Sequence, residues 1–142
     1  MDNLFAGAGR PAIHLLASES DMIGNLALQV EHRQPVVAAM LLAEIDRAEL
    51  HSDATLPDDV ITLGSEVDFV DQKSNRLRTV KLVLPADANI GLGQISILTP
   101  VGAALYGLAA GQTIDWPDLE GRERQIRILA VRQPQAGEVR PS

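Results

Sequence analysis

The stretch that decides the fold of this chain is ISILTPVGAALYGLAAGQTIDW, residues 95–116. A short apolar run at 95–98 has the character of a strand. It leads into Thr99 and Pro100, a pair typical of a helix N-cap and the first helical position. Apolar residues then recur every three or four positions, as on the buried face of a short helix. Gly107 can end that helix, and a second strand-like run follows, so the stretch predicts a strand–helix–strand unit.

Two longer helical patterns precede this unit. The first begins near Ser18, which has capping-box spacing with Asp21, and its apolar face continues to residue 30. A second apolar face runs over residues 37–48 and leaves Glu44 mostly outside it. Two helices joined by so short a loop predict an antiparallel hairpin with arms of roughly 20 Å.

Residues 51–59 form a polar, turn-rich linker. After this linker, apolar residues recur at every second position, as in a strand, instead of with the spacing of a helix. Strands are expected at 60–63, around Val67 and Phe69, which alternate with acidic residues, and at 76–84 and 125–131. They are expected to pair in an antiparallel sheet with one short helix. The chain therefore has an α+β organisation. We expect four parts, which are a flexible tail (1–11), the helical hairpin (12–52), the sheet domain (53–134) and a second tail (135–142).

Composition narrows the classes of function. The chain has 142 residues and a net charge of −7; residues 1–75 hold 13 acidic and 4 basic side chains, whereas residues 76–142 hold 6 and 8. An acidic chain binds nucleic acid poorly on its own. Its acidic half either aids solubility or faces a basic or metal-bearing site on a partner. Without a signal-peptide pattern or an apolar run of ~18–20 residues, we expect a cytoplasmic protein that does not contact membranes.

No catalytic or metal-binding arrangement is visible, and we expect neither an enzyme nor a bound cofactor or metal ion. The absence of cysteine excludes disulfides and thiol chemistry. The histidines, His14, His32 and His51, are far apart in the sequence and share no ligand spacing. Asp58 and Asp59 are adjacent and would face opposite ways on an extended chain, which does not suit an acid/base pair. Neither a nucleophile-elbow serine nor a phosphate-binding lysine loop is present.

The order of these parts resembles the Gre transcript-cleavage factor superfamily, in which a helical hairpin precedes an FKBP-like α+β domain. The segment TPVGAALYG (99–107), followed by Gly-Gln-Thr (111–113), is similar to the superfamily signature Ser/Ala-Pro-x-x-x-Ala-Leu-x-Gly…Gly-Asp, with Gln112 in place of Asp. The segments LAEIDRA (42–48) and LPDDVIT (56–62) resemble more closely the branch of short-hairpin regulators of nucleoside diphosphate kinase. The resemblance covers about residues 12–134.

This resemblance implies binding to RNA polymerase, with the hairpin entering the secondary channel. In Gre factors, two acidic residues at the hairpin tip help to hold a catalytic magnesium ion. The tip here is formed by Glu31, His32, Arg33, Gln34 and Pro35, so the acidic pair is missing. We therefore expect polymerase binding without transcript cleavage, in competition with Gre factors, and contact with DNA only through the polymerase complex. The branch also implies an effect on nucleoside diphosphate kinase, either direct or indirect.

A second candidate partner surface is basic and contains Arg122, Arg124 and Arg127, with Arg132 nearby. These arginines either contact an acidic patch on a partner or are ordinary solvated side chains. Two other functions stay open. One is an adaptor whose hairpin docks onto the kinase or another protein. The other is a peptidyl-prolyl isomerase, which would need an aromatic-lined apolar pocket in a chain with two Phe, one Tyr and one Trp.

Overall fold

The computed structural model describes residues 13–52, 54–117 and 122–134, of which 116, 117, 123 and 124 are described as backbone only. Both predicted tails, 1–11 and 135–142, lie outside these ranges. The elements follow in the order β1 (His14–Leu16), α1 (Ala17–Gln29), α2 (Pro35–Arg47), β2 (Glu49–His51), β3 (Glu66–Asp71), β4 (Arg76–Val83), β5 (Gln94–Ser96), α3 (Pro100–Leu105), β6 (Thr113–Pro117) and β7 (Glu123–Arg132).

Helices α1 and α2 form a helix pair, since they pack against each other and only residues 30–34 connect them. Pro35 occupies the start of α2, as its restricted φ favours. The capping box predicted at Ser18 is wrong. The N-cap of α1 is Leu16, without a side-chain hydrogen bond, because β1 leads directly into the helix and places Ser18 within its first turn.

The inner face of α2 is wider than its apolar pattern predicts. Glu44 is fully buried, although the sequence placed it outside the buried face. Arg47 donates two hydrogen bonds to its carboxylate, at 3.1 and 3.0 Å. Because α2 contacts both α1 and α3, side chains on two sides of the helix are removed from water.

The main sheet has the strand order β5-β4-β3-β7-β6. The prediction of an antiparallel sheet is wrong at one edge, where β4 and β5 pair in parallel and make the sheet mixed. The reason lies in the connection, because the chain leaves β4 through two short 3₁₀ turns and re-enters beside it in the same direction. β1 and β2 form a separate parallel pair, with the helix pair as their crossover connection.

The strand predicted at residues 60–63 is also absent from the sheet. Val60 forms only an isolated bridge with Ala109. Ile61 instead donates its N–H to the carbonyl of Leu108 at 2.8 Å and accepts the N–H of Gly107 at 3.1 Å. This segment is therefore fixed to the chain that follows α3, rather than to a neighbouring strand.

The strand–helix–strand unit of residues 95–116 is confirmed, with a shorter first strand. The Thr99 hydroxyl accepts the N–H of Gly102 at 3.0 Å, which satisfies one of the free donors at the start of α3. Gly107 follows the helix with φ of +85°, a conformation that other residues rarely adopt. A Cβ at Gly107 would also lie 2.8 Å from Leu15, so this glycine lets β1 approach the unit closely.

Within the part of the chain that the structure describes, a cluster of buried side chains joins the helix pair to the sheet. Its largest fully buried members are Tyr106, Phe69, Ile13, Leu15, Ile23, Met40, Leu41, Ile61, Leu82, Ile97, Leu105 and Leu108. Within the described ranges, none of the helices is long and apolar enough to cross a bilayer.

Candidate functional site

The five residues predicted at the tip lie together in the connection between α1 and α2. The carbonyl of Val30 accepts the N–H of Arg33 at 3.0 Å and that of Gln34 at 2.8 Å, which fixes the turn. Glu31, His32 and Arg33 are exposed. Their side chains form no hydrogen bond or ion pair with any residue that the structure describes. The turn thus holds its backbone in place and presents three unengaged polar side chains to solvent.

Only one carboxylate belongs to this tip. In the sequence, the nearest others are Asp21, ten positions before Glu31, and Glu44, nine positions after Pro35. At a rise of 1.5 Å per residue, both lie roughly 13–15 Å away along their helices. Glu44 is also buried beside Arg47. A cation at the tip could therefore obtain one carboxylate ligand from this chain.

The base of the helix pair is tied to the unit that decides the fold. The carboxylate of Glu19, on α1, is buried and accepts the N–H of Leu63 and the hydroxyl of Tyr106, each at 3.3 Å. Burial raises the pKa of the Tyr106 phenol far above its ordinary value, and the negative charge of Glu19 raises it further. These contacts anchor α1 at the end opposite the tip.

One arginine near the predicted basic surface, Arg132, is paired with acidic residues of the same chain. Arg132 forms ion pairs with Glu66 at 3.2 Å and with Asp68 at 2.9 Å. The hydrogen bond from Arg132, followed by that from Thr79, lowers the pKa of the Asp68 carboxyl. The charge of Arg132 is therefore already compensated within the chain.

The three arginines of the predicted basic surface lie on β7 or directly before it. Arg127 is exposed in the middle of the strand, and Arg122 is exposed just before the strand begins. Arg124 lies on the same strand, and its side chain is outside the described part. Contact of Arg122, Arg124 and Arg127 with an acidic partner stays a prediction.

The structure corrects the prediction that the histidines are too far apart to share a site. His14 and His51, 37 positions apart, are in contact at 3.0 Å, and Glu49 lies beside them. His32 remains alone at the tip. The alternation Glu49-x-His51 places both side chains on one face of a strand. Their meeting with His14 follows from the parallel β1–β2 pairing, which the sequence pattern does not reveal.

Residues 56–133 match the family model described as "Transcription elongation factor, GreA/GreB, C-term", which is more than half of the chain. The chain belongs to the GreA/GreB family. It is 34% identical over 128 residues to the regulator of nucleoside diphosphate kinase of Escherichia coli (strain K12), covering 89% of this chain and 94% of that protein. It is 32% identical over 131 residues to GreA of Acidiphilium cryptum (strain JF-5), with coverage of 87% and 83%.

A solved GreA/GreB structure from Nitrosomonas europaea shares the fold, with a TM-score of 0.67 and 32% identity over 87% of this chain and 99% of that one. The resemblance based on residues 99–107 is therefore confirmed. The GreA/GreB family assignment makes this chain a relative of bacterial transcription factors and regulators.

Proposed function

We propose that this protein is a non-catalytic transcription regulator that binds RNA polymerase through the tip at residues 31–35. In this proposal the helix pair is the short antiparallel hairpin of the Gre fold (12–52), and the sheet with α3 is its FKBP-like domain (53–134). The tip enters the secondary channel of the polymerase. It does not stimulate cleavage of the transcript.

The observation that carries this proposal is the single carboxylate at the tip. Mg²⁺ binds carboxylates and phosphate oxygens in a strict octahedral arrangement, and a pair of acids at a hairpin tip provides two ligands. Here Glu31 stands without a second acid, and Arg33 two positions later adds a positive charge that opposes a bound cation. The tip can contact polymerase but lacks the groups that would hold a catalytic ion.

The dimensions of the helix pair support the same function. Each helix has 13 residues, which corresponds to roughly 20 Å. Val30 and Val37 are buried on either side of the tip, so apolar packing extends to the end of the pair. A short, rigid projection suits docking, because little conformational entropy is lost when it binds.

A second candidate function is an adaptor that acts on nucleoside diphosphate kinase. It is favoured by 34% identity, over 89% of this chain, to a protein named as a regulator of that kinase. We propose that this protein also influences the kinase, directly or through transcription. Retention of purified kinase by this protein in the absence of polymerase would favour the direct route.

The proposal includes no enzymatic activity. A peptidyl-prolyl isomerase pocket would need accessible aromatic side chains. Phe69 and Tyr106, the two Phe or Tyr side chains that the structure describes, are 2% and 0% exposed. An assay of proline isomerisation in a short peptide should give the uncatalysed rate. A concentration-dependent acceleration would support the isomerase alternative instead.

A stalled elongation complex tests the proposed function. The protein alone should produce no shortened transcript, and an excess of it should slow cleavage by added GreA. The triple variant Glu31→Ala, His32→Ala, Arg33→Ala should not slow cleavage by GreA. It should fold normally, because these exposed side chains form no hydrogen bond or ion pair within the described chain.

A matched triple variant with the changes Asp21→Ala, Asn25→Ala and Gln29→Ala alters exposed positions along α1 and should compete like the wild type. Shortened transcripts with the protein alone would contradict the proposal. Undiminished competition by the tip variant would contradict the role of residues 31–33.

A further inference from the structure

The strand that leads into α1 and the strand that follows α2 lie side by side in the parallel β1–β2 pair. In its register, His14 lies opposite Glu49, and Leu16 lies opposite His51. Because alternate residues of a strand share a face, His14, Glu49 and His51 project to the same side of this two-stranded pair. These three residues are named the base cluster. They lie at the opposite end of the helices from residues 31–35.

The ligand atoms of the base cluster converge on one point. His14 Nδ1 and His51 Nε2 are 3.0 Å apart, and His51 Nε2 is 3.1 Å from Glu49 Oε2. The third side of the triangle, from His14 Nδ1 to Glu49 Oε2, measures 4.0 Å. With Zn–N bonds of about 2.0–2.1 Å, a tetrahedral site separates its ligand atoms by about 3.3 Å. The observed distances lie on both sides of that value.

Hydrogen bonds alone do not satisfy His14 Nδ1, His51 Nε2 and Glu49 Oε2 well. A neutral imidazole nitrogen either donates or accepts. If His51 Nε2 carries the proton, this one N–H must be shared between His14 Nδ1 and Glu49 Oε2. A divalent cation at the centre would instead accept a lone pair from each of the three atoms at once.

The surroundings hold one ring in the orientation that a metal ion requires. His51 Nδ1 lies 3.2 Å from the Thr55 hydroxyl, and that hydroxyl also accepts the N–H of Ser52 at 3.2 Å. A hydrogen bond to the second ring nitrogen is the usual feature that fixes a metal-binding histidine. It leaves Nε2 of His51 directed at the cluster.

The pattern of exposure allows an ion to enter and a water molecule to complete the site. The His51 and His14 side chains are 12% and 27% exposed, whereas that of Glu49 is 67% exposed. The rings are thus mostly sheltered, and the carboxylate is exposed to solvent. Three protein ligands with one open position are typical of zinc sites that retain a water.

We propose that His14, Glu49 and His51 bind one zinc ion at the base of the helix pair. Two imidazoles and a carboxylate suit zinc, while a chain without cysteine offers no thiolate for softer ions. The ion would link the residue that precedes α1 to the residues that follow α2. It would therefore stabilise the base of the helix pair, and this proposal does not depend on polymerase binding.

The test uses the untagged full chain, freed of metal by a chelator and titrated with Zn²⁺ in competition with a chromogenic chelator. Binding of one zinc ion per chain is expected. The chain has only three histidines, so NMR of the side-chain ring nitrogens can follow each of them. The resonances of His14 and His51 should shift in proportion to bound zinc, and those of His32 should not.

Variants identify the ligands. His14→Ala, His51→Ala and Glu49→Gln should each weaken zinc binding by at least about tenfold, and Thr55→Val by about tenfold through loss of ring orientation. His32→Ala removes the histidine outside the cluster and should bind zinc like the wild type. The absence of stoichiometric binding by the wild type would overturn the proposal. Equal binding by the double variant His14→Ala, His51→Ala would do the same, and the NMR shifts of the wild type decide the matter if a variant fails to fold.

Discussion

Gly102 lies at the centre of the unit on which the fold depends, and its replacement gives the sharpest test of the packing. A Cβ at this position would overlap the carbonyl oxygen of Ser96 and would lie 3.0 Å from the Cα of Ile97. Both neighbours are backbone atoms at the end of β5 and just beyond it, so no side chain can rotate away. Gly102→Ala therefore forces α3 to move away from this edge of the sheet.

The magnitude follows from two opposing effects. Overpacking a buried site costs typically 1–3 kcal/mol, and contact with backbone favours the upper end of about 3 kcal/mol. Alanine is better than glycine in a helix by about 1 kcal/mol. The net loss in the free energy of unfolding should be about 2 kcal/mol. For a chain of this size, this loss corresponds to a melting temperature lower by roughly 6–8 °C.

Urea denaturation and thermal unfolding, both followed by circular dichroism, would measure this effect. Gly24→Ala is the matched control, because Gly24 is also helical and its added Cβ would lie 3.8 Å from the nearest atom, in Ile45. This control should raise the free energy of unfolding by about 0.5–1 kcal/mol. If Gly102→Ala were as stable as the wild type, the close contact between α3 and residues 96–97 would be refuted.

Two further predictions concern buried polar groups. Arg47→Ala removes both hydrogen bonds to the fully buried Glu44 carboxylate. It should lower the free energy of unfolding, measured in urea, by about 2–3 kcal/mol, and Arg47→Lys should lower it by about half as much. Equal stability of the wild type and both variants would contradict the pairing. Burial raises the pKa of the Tyr106 phenol above its ordinary value of 10.0. Above pH 10.0 the unfolded chain therefore loses the phenolic proton, whereas the folded chain keeps it. The free energy of unfolding should fall as the pH rises above 10.0. The single tyrosine should therefore show tyrosinate absorbance only together with alkaline unfolding, and absorbance that rises near pH 10.0 in the folded protein would show that the phenol is accessible.

Local chemistry made part of this fold predictable from sequence. The cap at Thr99, the proline that follows it and the turn at Gly107 depend on neighbouring residues alone, and all three are as predicted. The five tip residues could be placed together for the same reason, since the loop is short and Pro35 begins α2.

Features that depend on distant contacts could not be predicted in this way. The burial of Glu44 depends on the packing of α2 against other helices, and the parallel pairing of β4 with β5 requires a particular path between them. The contact between His14 and His51 arises because the chain enters and leaves the helix pair on adjacent parallel strands. Sequence spacing carries no information on such a meeting.

The most direct test of the proposed function is the binding of purified protein to core RNA polymerase. The wild type and the Asp21, Asn25, Gln29 triple variant should be retained equally on immobilised polymerase, whereas the Glu31, His32, Arg33 triple variant should be retained much less. Failure of the folded wild type to bind, or equal retention of the tip variant, would contradict the claim that this chain docks on polymerase through residues 31–35.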